Sequence, residues 1–439
     1  MRKFWKTLLW LILGINLAII GHFWWANASF SFNTTPGVLL AFGQLTGLLA
    51  AFFVLMQLVF IGRATWIEKV FGLDKLTNIH RLNGYLSLLT ILAHPIFIIA
   101  SYSAAAKISF IDQFIEFWQN YEDIPATAIA VVIFVAIVFL SIYIVRKRFK
   151  YESWYYIHLL TYLAIALGFG HQLKLGSTLL SNPVFYNYWL VLYAFVFGNL
   201  IIFHFITPIY LFFKHQFRVE KLVQETADTW SVYISGKNLN SWKTEPGQFI
   251  TVRFLAKNFY FQAHPFSLSA IPTNEHFRIT IKVCGDFTGN IPKLKPGTKV
   301  IIGGAYGIFT ANNQAKEKYL FIAGGVGITP IRSLVEDLAP QHDISLIYSN
   351  RSADNVIFKN ELDQIASKHP FPIHYLYTSE NTGQVNGRLD EDKLNTLIKD
   401  LKERQVYLCG PLPMNKAISA LLRKMGLSAE QIHFEKFSF

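Results

Sequence analysis

Two pairs of histidines lie inside long apolar stretches, and they constrain this chain more than any other feature. His80 and His94 are 14 residues apart in one stretch, and His158 and His171 are 13 residues apart in another. An ionisable side chain is costly inside a bilayer, so a histidine there indicates a functional site. At 1.5 Å per residue, these spacings correspond to roughly 21 Å and roughly 20 Å along a helix. The two pairs therefore match in height, as two stacked haem groups require, because a neutral imidazole is a haem ligand.

The apolar stretches are long enough to cross a membrane, which takes about 20 residues. The chain has 439 residues, of which 52% are hydrophobic and only 15% are charged, against about 25% charged residues in soluble domains. Six uncharged stretches lie at about 7–25, 36–61, 82–103, 125–145, 153–173 and 184–213. The sequence therefore predicts an integral membrane protein with six transmembrane helices.

Basic loop residues predict the orientation of these helices, because Lys and Arg are enriched in cytoplasmic loops. Lys107 and Lys174 are the basic residues on one side; the other side carries Arg2, Lys3, Lys6, Arg63, Lys69, Lys75, Arg81, Arg146, Lys147, Arg148 and Lys150. The second side is therefore predicted to be cytoplasmic, and so is everything that follows the sixth span. The first stretch has a second interpretation as a cleaved signal peptide, although it exceeds the usual apolar region of about 7–15 residues.

The net charge of +12 does not indicate nucleic-acid binding. Much of the basic excess lies in the loops that set the topology and face anionic lipid. The two cysteines, Cys284 and Cys409, fall in the predicted cytoplasmic part, where thiols stay reduced. We expect contact with membrane lipid, and neither nucleic acid as a partner nor a disulfide framework.

The long apolar stretches end at residue 213, and the rest of the chain falls into two parts with different predicted folds. Residues 214–314 contain short alternating strands with turn signals between them, which predict an antiparallel β-barrel domain. Residues 315–439 alternate strands and helices, which predicts a parallel sheet with crossover helices. The predicted domains are thus 1–213 in the membrane, 214–314 and 315–439.

A glycine-rich loop follows the strand KYLFIAG in the last domain. It reads Gly324, Gly325, Val326, Gly327, Ile328, Thr329, Pro330. Glycines let the backbone approach a phosphate, and free N–H groups at a helix start attract the anion. Thr329 is predicted as the N-cap and Pro330 as the first helical residue. The spacing differs from the GxGxxG fingerprint, so a plain strand-to-helix turn is the alternative.

The next strand ends at Ser349, Asn350 and Arg351, near where a ribose would lie. An acidic residue there favours NAD, whereas an arginine accommodates a 2′-phosphate. The sequence therefore predicts NADPH as the donor, with NADH possible. The alternative is that Arg351 is an ordinary solvated charge.

Several further motifs, in this order, complete a resemblance that covers nearly the whole chain. They are HP at 94–95, HPFSLS at 264–269, GDFT at 285–288, GGVGITP at 324–330, CGP at 409–411 and HFEKFSF at 433–439. With the histidine pairs, the chain resembles the NADPH oxidase and ferric reductase superfamily, and most of all its bacterial single-chain NADPH oxidases. The resemblance implies a six-helix membrane bundle followed by a ferredoxin reductase-like module, in a bacterial inner membrane.

The resemblance also implies roles for individual residues. His80 and His158 would hold a haem b near the cytoplasmic face, and His94 and His171 a second haem b near the outer face. FAD would be bound by His264, Pro265, Phe266, Ser267 and Thr288, and the nicotinamide would lie near Cys409, Gly410, Pro411 and the final Phe439. Phe439 would stack on the flavin, or alternatively close the sheet as a strand residue. Cys409 could equally be an inert, buried small side chain.

Some features depart from the expected pattern. Thirteen residues on an ideal helix leave His171 about 140° away from His158, so the helix must be distorted, and Gly168 and Gly170 are the predicted place. The family motif GPYG is Gly304, Ala305, Tyr306, Gly307 here. Animal superoxide-forming relatives carry an arginine in helix two where this chain has Gln44.

The resemblance implies that NADPH reduces FAD, and that electrons then cross the membrane singly through the two haems. The outer acceptor is predicted to be oxygen, giving superoxide, without an obligate protein partner. A ferric chelate is the main alternative, and a quinone or an external protein is a third acceptor. A non-enzymatic haem-binding membrane protein is the alternative from another class.

Overall fold

The computed structural model describes residues 2–26, 30–142, 151–311, 318–379 and 387–435. The chain divides into two compact units, one of Met1–Phe71 with Lys75–His204 and one of Gly72–Asp74 with Phe205–Phe439. The first unit is helical, and the second holds a β-barrel and an α/β lobe. This agrees with the predicted fold class. The predicted domain limits at 213/214 and 314/315 remain predictions.

Apolar helices make up the membrane unit. They are α1 (Arg2–Ala26), α2 (Thr35–Ile61), α3 (Thr65–Phe71), α4 (Leu73–Ala106), α5 (Phe110–Asn120), α6 (Asp123–Ser141), α7 (Tyr151–His158), α8 (Leu160–Leu175), α9 (Ser177–Leu180) and α10 (Pro183–Leu200). The last continues through a π-helical segment, Ile201–Ile206, into α11 (Thr207–His215). Among the described residues, five helices are long and apolar enough to cross a membrane: α1, α2, α4, α6 and the continuous Pro183–His215 helix.

The fifth predicted span, 153–173, is helical but divided. The break falls at Leu159, directly after His158, whereas the chain stays helical through Gly168 and Gly170. The predicted place of the distortion was therefore wrong. At the break, the Tyr162 amide bonds to the carbonyl of Leu159, three residues back, and the Thr161 hydroxyl bonds to the carbonyl of His158. A side-chain hydroxyl thus satisfies a carbonyl in place of the regular backbone ladder.

The π-helical segment in the sixth span has a local cause. Pro208 lies in the first turn of α11 and lacks an N–H, so it cannot bond to the carbonyl four residues earlier. A local change to wider helical turns keeps the chain helical across such a gap. The span therefore remains a continuous helix over Pro183–His215 despite the proline.

The six strands of the barrel form two antiparallel three-stranded sheets. One joins β1 (Arg218–Thr226), β2 (Thr229–Ser235) and β5 (His276–Lys282); the other joins β4 (His264–Ser267), β3 (Phe249–Phe254) and β6 (Val300–Tyr306). Bridges between Leu268 and Ile279 and between Arg218 and Lys299 link the sheets on both sides. The predicted antiparallel barrel is therefore present, and a buried aliphatic and aromatic core fills it. A short helix, α12 (Asp286–Gly289), follows β5.

The α/β lobe has a five-stranded parallel sheet, as predicted. Its elements are β7 (Lys318–Gly324), α13 (Ile328–Leu338), β8 (Asp343–Asn350), α14 (Lys359–Lys368), β9 (Ile373–Tyr377), α15 (Glu391–Leu397), β10 (Arg404–Cys409), α16 (Leu412–Lys424) and β11 (Ile432–Glu435). The strand order is β11-β10-β7-β8-β9. The chain order therefore reverses between β7 and β10, and ligands bind at such a switch point in open α/β sheets.

An ion network holds the opposite edge of this sheet. The guanidinium of Arg404 donates to both carboxylate oxygens of Asp400 and to Asp343, and Lys318 donates to Asp400 and Glu403. Partial burial raises the pKa of Asp400, but the hydrogen bonds from Arg404 and Lys318 outweigh this effect and lower that pKa to about 2. The network thus stabilises the start of three strands only while Asp400 is ionised.

This network predicts a pH dependence of stability. The pKa of Asp400 is about 2 in the folded chain and about 3.9 in an unfolded one. Its stabilisation is therefore complete above about pH 4 and is lost as the pH falls towards 2. Asp400→Asn should lower the unfolding temperature at pH 7 and flatten its dependence on pH between about 4 and 2, as followed by thermal unfolding of the solubilised chain. Asp363→Asn, in an exposed ion pair with Lys359, is the control and should change neither.

Candidate functional site

The four predicted histidines meet in two facing pairs inside the membrane unit. His80 of α4 faces His158 of α7, with ring centres 6.1 Å apart and ring planes at 59°. His94 of α4 faces His171 of α8, with ring centres 6.2 Å apart and ring planes at 70°. Helix α4 therefore supplies one histidine to each pair, and the divided fifth span supplies both partners.

The separation within each pair fits a metal ion between the rings. With a metal–nitrogen bond of about 2 Å on each side and ring centres about 1 Å further out, two imidazoles on opposite sides of one ion have ring centres about 6 Å apart. Both pairs match this distance. Neutral imidazole on both faces of a planar macrocycle is one of the ways in which proteins hold haem iron.

Helix α2 positions His94, and sequence reasoning missed this contribution. The carbonyl of Gly43 accepts a hydrogen bond of 2.8 Å from Nδ1 of His94, which leaves Nε2 free to bind a metal. A Cβ on Gly47 would lie 2.7 Å from the same Nδ1, so only glycine lets α2 approach the ring this closely. The signal was present as GQLTG at 43–47, because two small residues four apart favour close packing of membrane helices.

The other histidines differ in their polar contacts. Nδ1 of His158 lies 3.4 Å from the hydroxyl of Ser141, whose own hydrogen goes to the carbonyl of Ile137. His158 must therefore supply the hydrogen, which again leaves Nε2 for a metal. The buried Nδ1 atoms of His80 and His171 make no hydrogen bond of ordinary geometry to the described part of the chain. Such polar atoms are rare in a folded interior and are expected where a group is bound.

A cavity of about 380 Å³ adjoins the pair formed by His94 and His171. Its polar lining includes His94, His171, Gln44 and Gln172, and most of the remaining lining is apolar. Gln172 is held firmly, because the indole N–H of Trp189 and the hydroxyl of Tyr193 both donate to its carbonyl oxygen, at 3.1 and 2.9 Å. Gln44 donates to Ser177 at 3.0 Å. The cavity therefore suits a largely apolar group that makes a few polar contacts.

In the second unit, the predicted flavin residues meet at one edge of the barrel. His264, Pro265, Phe266 and Ser267 form β4, and Ser267 and Tyr306 both pair with Phe249. The hydroxyl of Ser267 is buried without a hydrogen bond in the described structure, which leaves it for a ligand. In the GAYG sequence, Gly304 and Gly307 adopt φ values of +91° and +104°, so its glycines keep the turn that this loop needs.

Phe287 brings Thr288 to the same place. Its ring lies 4.1 Å from the ring of His264 and 6.1 Å from that of Phe266. The Thr288 hydroxyl accepts hydrogen bonds from the amides of Cys284 and Gly285, at 2.8 and 2.9 Å. These two hydrogen bonds hold the turn that leads from Cys284 into α12.

The predicted nucleotide residues converge where β7 and β10 end side by side. A Cβ on Gly410 would lie 3.2 Å from Cα of Gly324, and a Cβ on Gly327 would overlap the carbonyl of Cys409. A Cβ on Gly324 would lie 3.1 Å from Cδ of Pro411. The two loops therefore pack backbone against backbone at the switch point of the sheet.

The start of α13 differs from the prediction. The helix begins at Ile328 with Gly327 as its N-cap, so Thr329 and Pro330 are its second and third residues. A 3₁₀ turn over Gly325–Gly327 brings the chain into helical conformation earlier than the sequence suggested. The Thr329 hydroxyl instead donates to the carbonyl of Val326 at 3.0 Å. The N–H of Ile328 donates back to the carbonyls of Gly325 and Val326, so the N–H groups at the start of this helical stretch belong to the 3₁₀ turn of the glycine loop.

The predicted ribose residues lie at the end of β8. Ser349 is beside Gly324 in the sheet register, and Arg351 is exposed just beyond the strand. Asn350 between them is buried, and its amide makes no hydrogen bond by ordinary geometry. The strand next to the glycine loop thus ends in the buried amide of Asn350, and the exposed cation of Arg351 follows it.

Cys409 is fully buried, and its thiol is neutral. Burial raises the pKa of Cys409 well above its ordinary value, and the negative charge of Glu435, its neighbour in β11, raises it further. A neutral thiol is a poor nucleophile, which agrees with the interpretation of Cys409 as a buried small side chain. Phe439, the predicted flavin-stacking residue, lies outside the described residues.

Comparisons with known families match three consecutive parts of the chain. Residues 46–169 match the ferric reductase like transmembrane component, residues 214–323 an FAD-binding domain, and residues 321–420 an oxidoreductase NAD-binding domain. The first match contains His80, His94 and His158, and it ends two residues before His171. The second and third contain the HPFSLS, GDFT, glycine-loop and CGP sequences.

Individual relatives match about half of the chain. The glycine betaine monooxygenase reductase subunit of Pseudomonas aeruginosa is 30% identical over 236 residues, which are 51% of this chain and 64% of that protein. A flavohemoprotein of Oceanobacillus iheyensis is 28% identical over 239 residues, 50% of this chain and 58% of that protein. The chain thus spans less than two thirds of either relative. The solved flavohemoglobin from Malassezia yamatoensis has a TM-score of 0.48 at 20% identity, covering 89% of this chain and 99% of that one.

The contact between the two glycine loops predicts the effect of one methyl group. Gly327→Ala should push β7 and β10 apart at the switch point and raise the Michaelis constant for the nicotinamide nucleotide by about tenfold or more, because the loop can no longer approach the phosphates. Bound flavin should be unchanged. Steady-state kinetics measure the Michaelis constant, and the flavin absorbance measures the amount of bound flavin. Val326→Ala, which adds no atoms to the same loop, is the control; an unchanged Michaelis constant in Gly327→Ala would contradict this assignment.

Proposed function

Because the chain belongs to the NADPH oxidase and ferric reductase superfamily, as its three family matches indicate, and is an NAD(P)H-dependent oxidoreductase, we propose that it carries electrons from cytosolic NADPH through FAD and two haems b to oxygen outside. Transfer of electrons across the membrane through FAD follows from the same three matches. The single observation that carries the finer proposal is the pair of facing imidazoles at two levels of the membrane unit.

On the donor side, the proposed roles follow from the packing at the switch point. N–H groups of the 3₁₀ turn in the glycine loop, directly before α13, bind the dinucleotide phosphates, and Arg351 binds the 2′-phosphate. Ser267, Cys409 and Gly410 enclose the reacting rings and exclude water. FAD, when bound, accepts electrons as a pair from a nicotinamide and passes them on singly, which a two-electron donor and a one-electron chain require.

In the membrane, His80 and His158 hold one haem and His94 and His171 the other. Haem iron supplies a one-electron site within the bilayer. The chain's own contribution is to fix the rings: Gly43 and Ser141 hold His94 and His158 in the tautomer that presents Nε2. By the positive-inside rule, the His80 level lies towards the cytoplasm and the second unit is cytoplasmic.

Oxygen is preferred as the acceptor over a ferric chelate because of the charges around the outer cavity. Segment 107–125 carries acidic Asp112, Glu116, Glu122 and Asp123, and the basic Lys174 is paired with Asp123 at 3.1 Å. An anionic chelate would meet negative charge here, whereas a small neutral molecule would not. A ferric chelate remains the second candidate, and a quinone or an external protein a third.

The proposal predicts a spectrum. Under anaerobic conditions, NADPH should bleach the flavin and sharpen the haem b bands of the solubilised protein, and air should reverse both with release of superoxide. His171→Leu and Gly47→Val should each halve the haem content, by removing a ligand or displacing His94, while flavin reduction persists.

Matched substitutions elsewhere in the membrane unit serve as controls. His204→Leu removes a histidine outside the two pairs, and Gly198→Val adds a side chain where no atom lies within 4 Å of the new Cβ. Both should keep two haems. Equal haem in His171→Leu would refute the ligand assignment, and haem that dithionite but not NADPH reduces would favour a non-enzymatic haem-binding protein. Reoxidation by ferric citrate but not by air would favour the reductase.

The assignment of Arg351 predicts a change in nucleotide preference. Arg351→Ala should raise the Michaelis constant for NADPH by about tenfold and leave that for NADH almost unchanged, because only NADPH has the 2′-phosphate. Arg423→Ala, which removes an exposed arginine at the end of α16, is the control. Flavin reduction rates with each nucleotide measure the effect, and an equal loss for both nucleotides would exclude recognition of the phosphate.

A further inference from the structure

A network of two arginines and two glutamates joins the barrel to the α/β lobe. Arg278 lies in β5 of the barrel, and Arg332, Glu336 and Glu361 lie in α13 and α14 of the lobe. Glu361 accepts hydrogen bonds from both arginines, and Arg332 is also paired with Glu336. The four charges sum to zero, so the network is balanced within itself.

Arg278 uses all five of its hydrogen-bond donors. Nε donates to the Ser269 hydroxyl at 3.1 Å, and Nη2 donates to the Ser269 carbonyl at 3.0 Å. Nη1 donates to the hydroxyl of Tyr233 at 3.2 Å, and the two terminal nitrogens grip both oxygens of Glu361 at 2.6 and 2.9 Å. The side chain is only 3% exposed. A buried, forked ion pair of this kind fixes orientation as well as distance.

Each end of the network leads to a binding element. Ser269 is the last residue of HPFSLS, two positions after Ser267 at the flavin edge. At the other end, Arg332 lies in the second turn of α13, directly after the glycine loop. A continuous path of charged hydrogen bonds therefore runs from the flavin strand through Arg278 and Glu361 to the helix that presents the nucleotide loop.

Backbone contacts hold the same helix from two other directions. The amide of Ile271, in the barrel, donates to Glu336 at 3.0 Å, and the amide of Gly247 donates to the hydroxyl of Ser333 at 3.0 Å. Helix α13 is thus bonded to the barrel directly at Ser333 and Glu336, and indirectly through Arg332, Glu361 and Arg278.

Phe358 shows that the local backbone is adapted to this network. It has φ +61°, an uncommon value for an aromatic residue, and is 4% exposed. In this conformation its ring faces the guanidinium of Arg278, with the central carbon 4.3 Å from the ring centre. Such conformations persist only where the surroundings determine them, and they cluster at functional positions.

We infer that Arg278, Glu361 and Arg332 form an inter-lobe clamp of positioning residues, which sets the distance between the nicotinamide and the flavin. This inference rests on the proposed function, because it concerns the transfer of a hydride, with both its electrons, from the nicotinamide to the flavin. Reacting atoms must lie within about 3–3.5 Å, and an error of about 1 Å costs about a hundredfold in rate. A clamp between the two binding elements controls that distance without touching either ligand.

The test is anaerobic stopped-flow reduction of the bound flavin by NADPH in the full-length protein. Arg278→Lys keeps the charge but loses the forked grip, and Glu361→Gln keeps the shape but loses the charge. Each should lower the limiting rate at saturating NADPH by about tenfold or more, with a smaller change in the half-saturating concentration. Lys359→Ala, which breaks an exposed ion pair on the same helix α14, should leave both values unchanged.

A double variant separates positioning from stability. Replacing a buried ion pair by apolar side chains can restore stability, so Arg278→Met with Glu361→Leu should unfold at about the wild-type temperature while flavin reduction stays slow. Flavin absorbance and dithionite reduction verify that each variant is loaded. A wild-type limiting rate in all three variants would overturn the clamp. If NADPH did not reduce the flavin bound to the wild-type protein, this result would overturn the proposed function, and the clamp with it.

Discussion

The membrane unit depends on holding four imidazoles in facing pairs where no water can solvate them. A buried ring nitrogen that lacks a partner is costly, and a nearby acceptor removes this cost while it fixes the direction and the tautomer of the ring. The carbonyl of Gly43 and the hydroxyl of Ser141 do this for His94 and His158. The close approach of α2 to α4 and the divided fifth span then follow, since both are needed to bring the rings together.

The sequence predicted which histidines pair, because their spacing and their apolar surroundings are linear features. It did not predict where the fifth span is distorted. Glycines mark where a helix can bend, whereas the break at Leu159 depends on a hydroxyl at Thr161 that satisfies the His158 carbonyl. The contribution of α2 was missed for a related reason. The GQLTG sequence was visible, but its partner ring lies 47 residues away from Gly47 and is found only by folding.

In the second unit, short alternating strands predicted the barrel, and the alternation of strands and helices predicted the parallel sheet. The start of α13 was misplaced by two residues, because a 3₁₀ turn precedes the helix and cap signals in sequence do not register it. The network around Arg278 had no signal at all. Its members come from β5, α13 and α14, and the Arg278 partners Ser269 and Glu361 lie at sequence separations of 9 and 83 residues, so no local pattern connects them.

The two units differ in the charged side chains that they carry, and this difference affects which molecules each unit can bind. The second unit binds a charged nucleotide, and it carries an exposed arginine, Arg351, and a buried arginine, Arg278. The cavity beside His94 and His171 holds polar groups that are amides and imidazoles within a largely apolar wall, and Lys174 is paired with Asp123. A charged acceptor would have to be desolvated there without a counter-charge, which is costly. A small neutral acceptor carries no such penalty, and once reduced to an anion it would be expelled by the same surroundings.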